Sequence, residues 1–241
     1  MTAVLVYYVY RRVAAVGRRE IVVFFCAYGV TQTVFLVLTS GIAVSRISEA
    51  YKILVAVYEG CLVATVWVLF VNGFIGFQWI EDGSARSLWG VGVSTGLVFA
   101  ATATVNAVAF LQASETLLQA SFHLHYTATG ALLLLYLVFQ LILTLYTLNE
   151  KWATGDMAMA VLFFTAGQVC ELVFSLQACD AANHYVDGLF FGNVFTLLAV
   201  MMVYKYWDSL TREDLEFCIA GKTNPWEDRN ERNPLLANKD N

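Results

Sequence analysis

The sequence predicts an all-α membrane protein: a polytopic bundle of transmembrane helices with six full spans, a partial seventh span at the N-terminus and a cytosolic C-terminal tail. Three observations predict this fold class. The 241 residues are 59% hydrophobic and only 14% charged, which is more apolar surface than one water-soluble core can bury. Only 2 prolines interrupt the chain, which favours long helices over the short alternating strands of a membrane barrel. Apolar runs of spanning length also recur between charged loops.

Each span is placed by an apolar run, because about 20 helical residues are needed to cross the hydrocarbon core. The runs are Ile21–Val44, Leu54–Trp79, Leu88–Leu111, Leu124–Leu148, Met157–Leu176 and Tyr185–Trp207. Ahead of them, Ala3–Tyr10 is apolar but too short to span, and arginines follow it, unlike in a signal peptide. We interpret it as the C-terminal part of a span whose beginning is missing. Residues 1–207 are therefore the predicted bundle.

The loop charges orient the predicted bundle. Of the 14 Lys and Arg residues, only Arg46 and Lys52 fall on one side, and the remaining 12 (14 less 2) fall on the other, which the positive-inside rule makes cytosolic. The C-terminal tail, 208–241, is then a cytosolic charged segment that we expect to be a short helix, capped by Asp208 and Ser209, followed by disorder. The predicted interface anchors are Lys205, Tyr206, Trp207 and Asp208, followed by an acidic turn with Glu213 and Asp214.

The third span carries small residues at every fourth position, Gly92, Gly96, Ala100 and Thr104. Such a stripe lets another helix approach closely. Packing inside this bundle is the preferred interpretation, and docking of a partner helix is the alternative.

Polar groups inside the spans are costly in lipid and normally face the bundle interior. Glu59 and Glu171 are the most notable, since no Lys or Arg lies within the spans to pair with them. They leave open a proton-linked small-molecule transporter. The amides with the same expected inward orientation include Asn72, Gln78 and Gln168.

Signatures of catalysis are not found. The three histidines, His123, His125 and His184, lie at predicted span ends, and a His-x-His pair does not place two imidazoles on one helical face. The 5 cysteines have no metal-binding spacing, and there is no basic patch for nucleic acid beyond four arginines near the start. We therefore predict no enzyme activity, cofactor or metal, with the lipid bilayer as the surroundings.

Several segments resemble the fungal chitin synthase export chaperone family, whose members are seven-span proteins of the endoplasmic reticulum membrane. The segments are AVGRRE at Ala15–Glu20, VNGFIGFQ at Val71–Gln78, ED-G at Glu81–Gly83, LNEKW at Leu148–Trp152, GQV at Gly167–Val169 and the block Tyr185–Phe217, in which Asp187 opens the last span. The resemblance covers nearly the whole chain in order.

The resemblance implies a membrane chaperone that helps chitin synthase to fold and to leave the endoplasmic reticulum. It makes Asn72, Gln78, Gln168 and the small-residue stripe candidate client contacts, although all of these groups also suit internal packing. It also implies a longer lumenal N-terminal segment, to which Cys179 could be joined by a disulfide. A transporter using Glu59 and Glu171, or a seven-span receptor, remains the alternative function.

Overall fold

The computed structural model describes residues 1–12, 15, 17–40, 48–75, 83–148, 151–181 and 188–220. In this part of the chain every regular element is helical, as the composition predicts. The elements are α1 (Thr2–Arg11), α2 (Arg18–Ser40), α3 (Glu49–Ile75), α4 (Ala85–Gln112), α5 (Glu115–Phe122), π1 (His123–Ala128), α6 (Thr129–Ile142), π2 (Leu143–Leu148), α7 (Lys151–Leu172), α8 (Ser175–Ala181) and α9 (Gly188–Ala220). Six described helical stretches are long and apolar enough to cross a membrane: α2, α3, α4, the continuous helix from α5 onward, α7 and α9.

The chain divides into two compact units, Met1–Thr154 and Gly155–Asn241. In the first unit α3 is central and packs against α2, α4 and α6. The hydroxyl oxygens of Thr31 on α2 and Thr65 on α3 lie 2.9 Å apart, within hydrogen-bonding distance. Further along, Asn72 of α3 reaches back to Glu20 at the start of α2. The two helices are therefore antiparallel.

The fourth span runs in the same direction as α3. Its early part meets α3 where His125 contacts Glu59, and its later part meets α3 where Tyr136 lies beside Gly73. Aromatic rings fill this contact, with Phe74 and Phe139 centroids 4.8 Å apart. α3 and the fourth span are expected to be parallel, because only one span, α4, lies between them in the chain and each span reverses direction.

α1 is a short helix packed on α2. Its 10 residues extend for about 15 Å, half of the hydrocarbon thickness. Leu5 and Val9 are buried, and a Cβ on Gly29 of α2 would lie 3.3 Å from the Thr2 methyl group. The apolar stripe of α1 thus covers the α2 surface, which explains why so short an apolar run is helical.

The second unit is built on close packing of α7 against α9. A Cβ on Gly167 of α7 would lie 3.1 Å from the Gly192 carbonyl oxygen of α9. A Cβ on Gly188 would lie 2.5 Å from the Cys170 carbonyl oxygen, closer than real side chains come. The helix backbones meet here because glycine leaves room for them.

One predicted boundary is wrong. The fourth helix begins at Glu115 rather than at Leu124, because the break between spans is at Ala113, which has the left-handed φ of 48°. The acid then lies in the first turn, where it complements the helix dipole.

In the tail, α9 continues to Ala220 without a break, so the short helix expected after Trp207 is part of the helix of the last span. The expected cap is absent because Ser209 Oγ donates to the Tyr206 carbonyl at 2.8 Å, within the helix.

Candidate functional site

A buried carboxylate joins three helices at the end of the first unit where α2 begins. Glu20 is fully buried. Its Oε1 accepts hydrogen bonds from the Gly83 amide at 2.7 Å and from Ser87 Oγ at 2.8 Å. The backbone carbonyl of Glu20 accepts from Asn72 Nδ2 on α3 at 3.4 Å. One residue thus fixes the start of α2 against α3 and α4.

The local backbone explains how Glu20 reaches α4. Gly83 has a φ of +66°, which glycine adopts without a steric penalty. Ser84 then caps α4 by accepting from the Ser87 amide at 3.2 Å. A carboxylate is favoured here because the helix N-terminus carries partial positive charge. The second oxygen, Oε2 of Glu20, is buried and has no hydrogen-bond partner among the described residues.

From the sequence, Glu20 is named only as the last residue of the segment AVGRRE and is assigned no contact. Its position directly before the apolar run that starts at Ile21 could have indicated that it lies at the end of a span, where it can contact neighbouring helices. The structure also assigns an internal contact to Asn72, whose amide nitrogen bonds the Val68 carbonyl at 2.9 Å as well as Glu20. Gln78, a second candidate contact, lies outside the described residues.

Glu59 has a partner that the sequence analysis did not consider. Its Oε2 is hydrogen-bonded to Nδ1 of His125, and both side chains are largely buried. His125 lies in π1, where the π-helical turn changes the direction of the side chains relative to an α-helix. The span also starts nine residues earlier than predicted, which places His125 inside the helix rather than at its end.

Glu171 lies at the helix crossing of the second unit. Its Oε2 is 3.1 Å from the position that a Cβ on Gly192 would occupy. The glycine therefore leaves space for the acidic side chain. Gln168, a candidate contact one turn away, is half-buried on the same helix.

The small-residue stripe of α4 is open. Gly92, Gly96, Ala100 and Thr104 are all exposed, and no described atom of residues 1–154 comes within 4 Å of a Cβ built on Gly92 or Gly96. The expected packing of the stripe inside the bundle is therefore not what the first unit shows. The reason is that α3 occupies the other face of α4, where a Cβ on Gly60 would lie 2.9 Å from the Ala103 Cβ.

The predicted anchor group at the end of the last span is only partly exposed. Lys205 Nζ pairs with Asp156 Oδ1 at 2.9 Å. Tyr206, Trp207 and Asp208 are buried, so the two rings do not have the headgroup exposure that an interface anchor needs. Such exposure is found elsewhere, at Trp89 (73%) and Trp152 (85%). Glu213 and Asp214 lie on α9, and Asp187 lies outside the described residues.

Glu20, Asn72 and the Glu59–His125 pair thus join helices of the first unit, while one small-residue face of α4 has no close neighbour within that unit. This arrangement suits binding of a membrane partner.

Comparison with known proteins identifies the family. The chain matches the family described as chitin synthase export chaperone over residues 1–221. It is 40% identical over 230 residues to the chitin synthase export chaperone of Gibberella zeae, which covers 94% of this chain and 69% of that protein. The Neurospora crassa relative of the same name is 41% identical over 232 residues, covering 94% of this chain and 64% of the relative.

A more divergent relative, the chitin synthase export chaperone of Cryptococcus neoformans, is 36% identical over 241 residues, covering 98% of this chain and 66% of the relative. No solved structure matches the chain. The resemblance inferred from the sequence segments is confirmed, and the chain belongs to the chitin synthase export chaperone family.

Proposed function

We propose that this protein is a non-enzymatic membrane chaperone that binds chitin synthase in the endoplasmic reticulum membrane and supports its export. The observation that carries the proposal is the family match over residues 1–221. Relatives about 40% identical over 94% of this chain have the same name. A multi-pass protein is suited to this role, because a polytopic client exposes polar groups in its spans before its own bundle closes.

The charge distribution supports a cytosolic position for the end of the first unit where α2 begins. Arg18 and Arg19 lie there, with Arg86 at the start of α4. Lys52 lies near the opposite end, in the first turn of α3. The excess of positive charge at one end favours the cytosolic side. By alternation of the six spans, the C-terminus is then cytosolic as well.

We assign client contact to the open stripe of α4. Gly92 and Gly96 present backbone to the surroundings, so a client helix can approach closely there. Thr104 Oγ1 already bonds the Ala100 carbonyl at 2.8 Å, so the stripe has no unsatisfied hydroxyl in lipid. A surface of this kind binds through shape and can release its client, as a chaperone must.

The transporter alternative receives less support. It rests on Glu59 and Glu171 as carboxylates within the spans, and Glu59 is hydrogen-bonded to His125 of the fourth span. The pair is explained as a contact between α3 and the fourth span.

Deleting the gene tests the function. We expect chitin synthase to remain in the endoplasmic reticulum and wall chitin to fall, and the wild-type gene to restore both. Fluorescently tagged synthase reports its location. Normal delivery of the synthase to the cell surface in the deletion strain would refute the chaperone proposal.

A pair of glycine substitutions tests the contact. Gly96→Leu fills the open stripe with a bulky side chain, while Gly130→Leu adds the same side chain to α6, where a Cβ also has nothing within 4 Å. We expect co-purification of chitin synthase to be lost with Gly96→Leu and kept with Gly130→Leu. Equal co-purification with both variants would move the contact to another surface.

A further inference from the structure

Basic side chains from three helix ends lie at the end of the first unit where α2 begins. Arg11 and Arg12 end α1, Arg18 and Arg19 open α2, and Arg86 is in the first turn of α4. We refer to these five residues as the arginine cluster. Their common location follows from the antiparallel packing of α1 on α2 and from the contact of α2 with α4.

Neutral groups hold two of these guanidinium groups in place. Arg18 Nη1 donates to the Tyr10 carbonyl at 3.3 Å, next to Arg11 in the chain. Arg19 Nη1 donates to the Gly83 carbonyl at 3.2 Å, three residues ahead of Arg86. A carbonyl acceptor positions a guanidinium without cancelling its charge.

Four residues of the cluster have no acidic partner among the described residues. Arg11, Arg18, Arg19 and Arg86 form no ion pair within the described part of the chain. The acid beside them, Glu20, is buried and directed at Gly83 and Ser87.

Exposed aromatic rings border the cluster. Tyr7, Tyr8 and Tyr10 are 59%, 51% and 69% exposed. The guanidinium carbon of Arg11 lies 5.7 Å from the Tyr7 ring centroid, and that of Arg18 lies 5.5 Å from the Tyr10 ring centroid. These are cation–π distances. Tyrosine rings favour the headgroup layer of a bilayer, so we expect the guanidinium groups beside them to lie at the depth of lipid phosphates.

We propose that the arginine cluster binds the headgroup of an anionic phospholipid. Guanidinium groups bind phosphate oxygens through paired hydrogen bonds, and four to eight basic residues beside a transmembrane helix form a site for anionic lipids. The positive-inside rule accounts for the sign of the charge at this end. It does not explain why backbone carbonyl groups hold the guanidinium groups of Arg18 and Arg19, or why those of Arg11 and Arg18 lie beside exposed tyrosine rings. The site does not depend on the chaperone function or on the α4 stripe.

Titration of the purified full chain in detergent tests the site. Native mass spectrometry measures binding of phosphatidylinositol 4-phosphate and of phosphatidylcholine to the wild type. The same titration is made with Arg11→Gln/Arg18→Gln, with the charge-retaining Arg11→Lys/Arg18→Lys, and with Lys52→Gln as the matched control at the opposite end of α3. Melting temperatures establish that each variant is folded.

We expect phosphatidylinositol 4-phosphate to bind in preference to phosphatidylcholine. Each arginine replaced by glutamine should weaken binding about fivefold, hence about 25-fold for the double variant. Lys52→Gln should remain within about twofold of the wild type. The lysine variant keeps the charge but loses the paired hydrogen bonds, so its affinity should lie between those of the wild type and the glutamine variant. Equal binding of the two lipids, or equal loss with Lys52→Gln, would overturn the proposal. Inorganic phosphate that displaces the lipid at equal concentration would assign the site to free phosphate instead.

Discussion

The two faces of α4 have different surroundings within the first unit. On the packed face, Ala103 and Phe99 contact α3 so closely that a Cβ on Gly60 would lie 2.9 Å from one and 3.2 Å from the other. On the open face, a Cβ on Gly92 or Gly96 has no described atom of the first unit within 4 Å. Small residues therefore permit close approach on both faces, but only one face has a neighbour within the unit.

This difference shows that a small-residue stripe does not identify its own partner. The packed face also carries groups that must be satisfied internally, such as Ser87, which bonds Glu20. The open face carries Thr104, whose hydroxyl is satisfied by its own helix. A face of this second kind is stable in lipid and still able to accept a helix.

The largest loss of stability is expected from removing the Glu20 carboxylate, which binds the N-terminal end of α4 on its packed face. Glu20→Ala leaves the Gly83 amide and Ser87 hydroxyl unpaired, at a cost of roughly 1–3 kcal/mol for each group. Glu20→Gln keeps an acceptor oxygen and should lose less. Thermal unfolding in detergent measures both, with Glu49→Ala as a control at an exposed acid. Equal stability of Glu20→Ala and Glu49→Ala would show that Glu20 does not hold the joint.

The next largest effect is expected at the α3–α4 contact. Gly60→Leu forces a side chain against the Ala103 and Phe99 side chains, and overpacking of this kind costs about 1–3 kcal/mol. We expect a lower melting temperature and less folded protein at steady state. An unchanged melting temperature would mean that the packed face tolerates added volume like the open one.

A smaller effect is expected from the polar contact between α3 and the fourth span. A double-mutant cycle with Glu59→Gln and His125→Asn should give a coupling energy of about 0.6–1.7 kcal/mol, the range for hydrogen bonds between membrane helices. Unfolding by detergent titration supplies the four free energies. If the effects of the two substitutions are additive, the Glu59–His125 pair does not contribute to the packing of α3 against the fourth span.

The smallest effect on stability is expected on the open face. Gly96→Leu should change the free energy of unfolding by less than about 0.5 kcal/mol, because the new side chain meets lipid rather than protein within the unit. The same melting assay compares it with Gly60→Leu. A loss as large as that of Gly60→Leu would show that the stripe is packed after all.

The spans were predictable because each must have about 20 mostly apolar helical residues to cross the hydrocarbon core. Their ends were less so. The left-handed residue that separates α4 from α5 is alanine at position 113, which is neither of the usual breakers, glycine and proline. Between Trp207 and Ala220 no glycine or proline stops α9, and the Ser209 hydroxyl, expected to cap a new helix, donates to the Tyr206 carbonyl within the same helix.

Contacts between helices were the least predictable feature. The pairing of Glu59 with His125 depends on a π-helical turn that no periodicity in the sequence indicates. Glu20 directly follows two arginines, and nothing in the sequence marks it as a contact between helices. Three of the segments that carry the family resemblance meet at its side chain and backbone: AVGRRE supplies Glu20, VNGFIGFQ supplies Asn72 and ED-G supplies Gly83. Family resemblance located these residues, and only the packed structure shows that they form one joint.

Photocrosslinking from α4 tests the central claim most directly. A photoreactive phenylalanine analogue replaces Ala100 on the open face or, as a control, Leu134 on α6, which is 62% exposed. The proposal predicts an adduct with chitin synthase from position 100 and little from position 134. An adduct from position 134 alone, or equal adducts from both, would contradict client binding at the open face of α4.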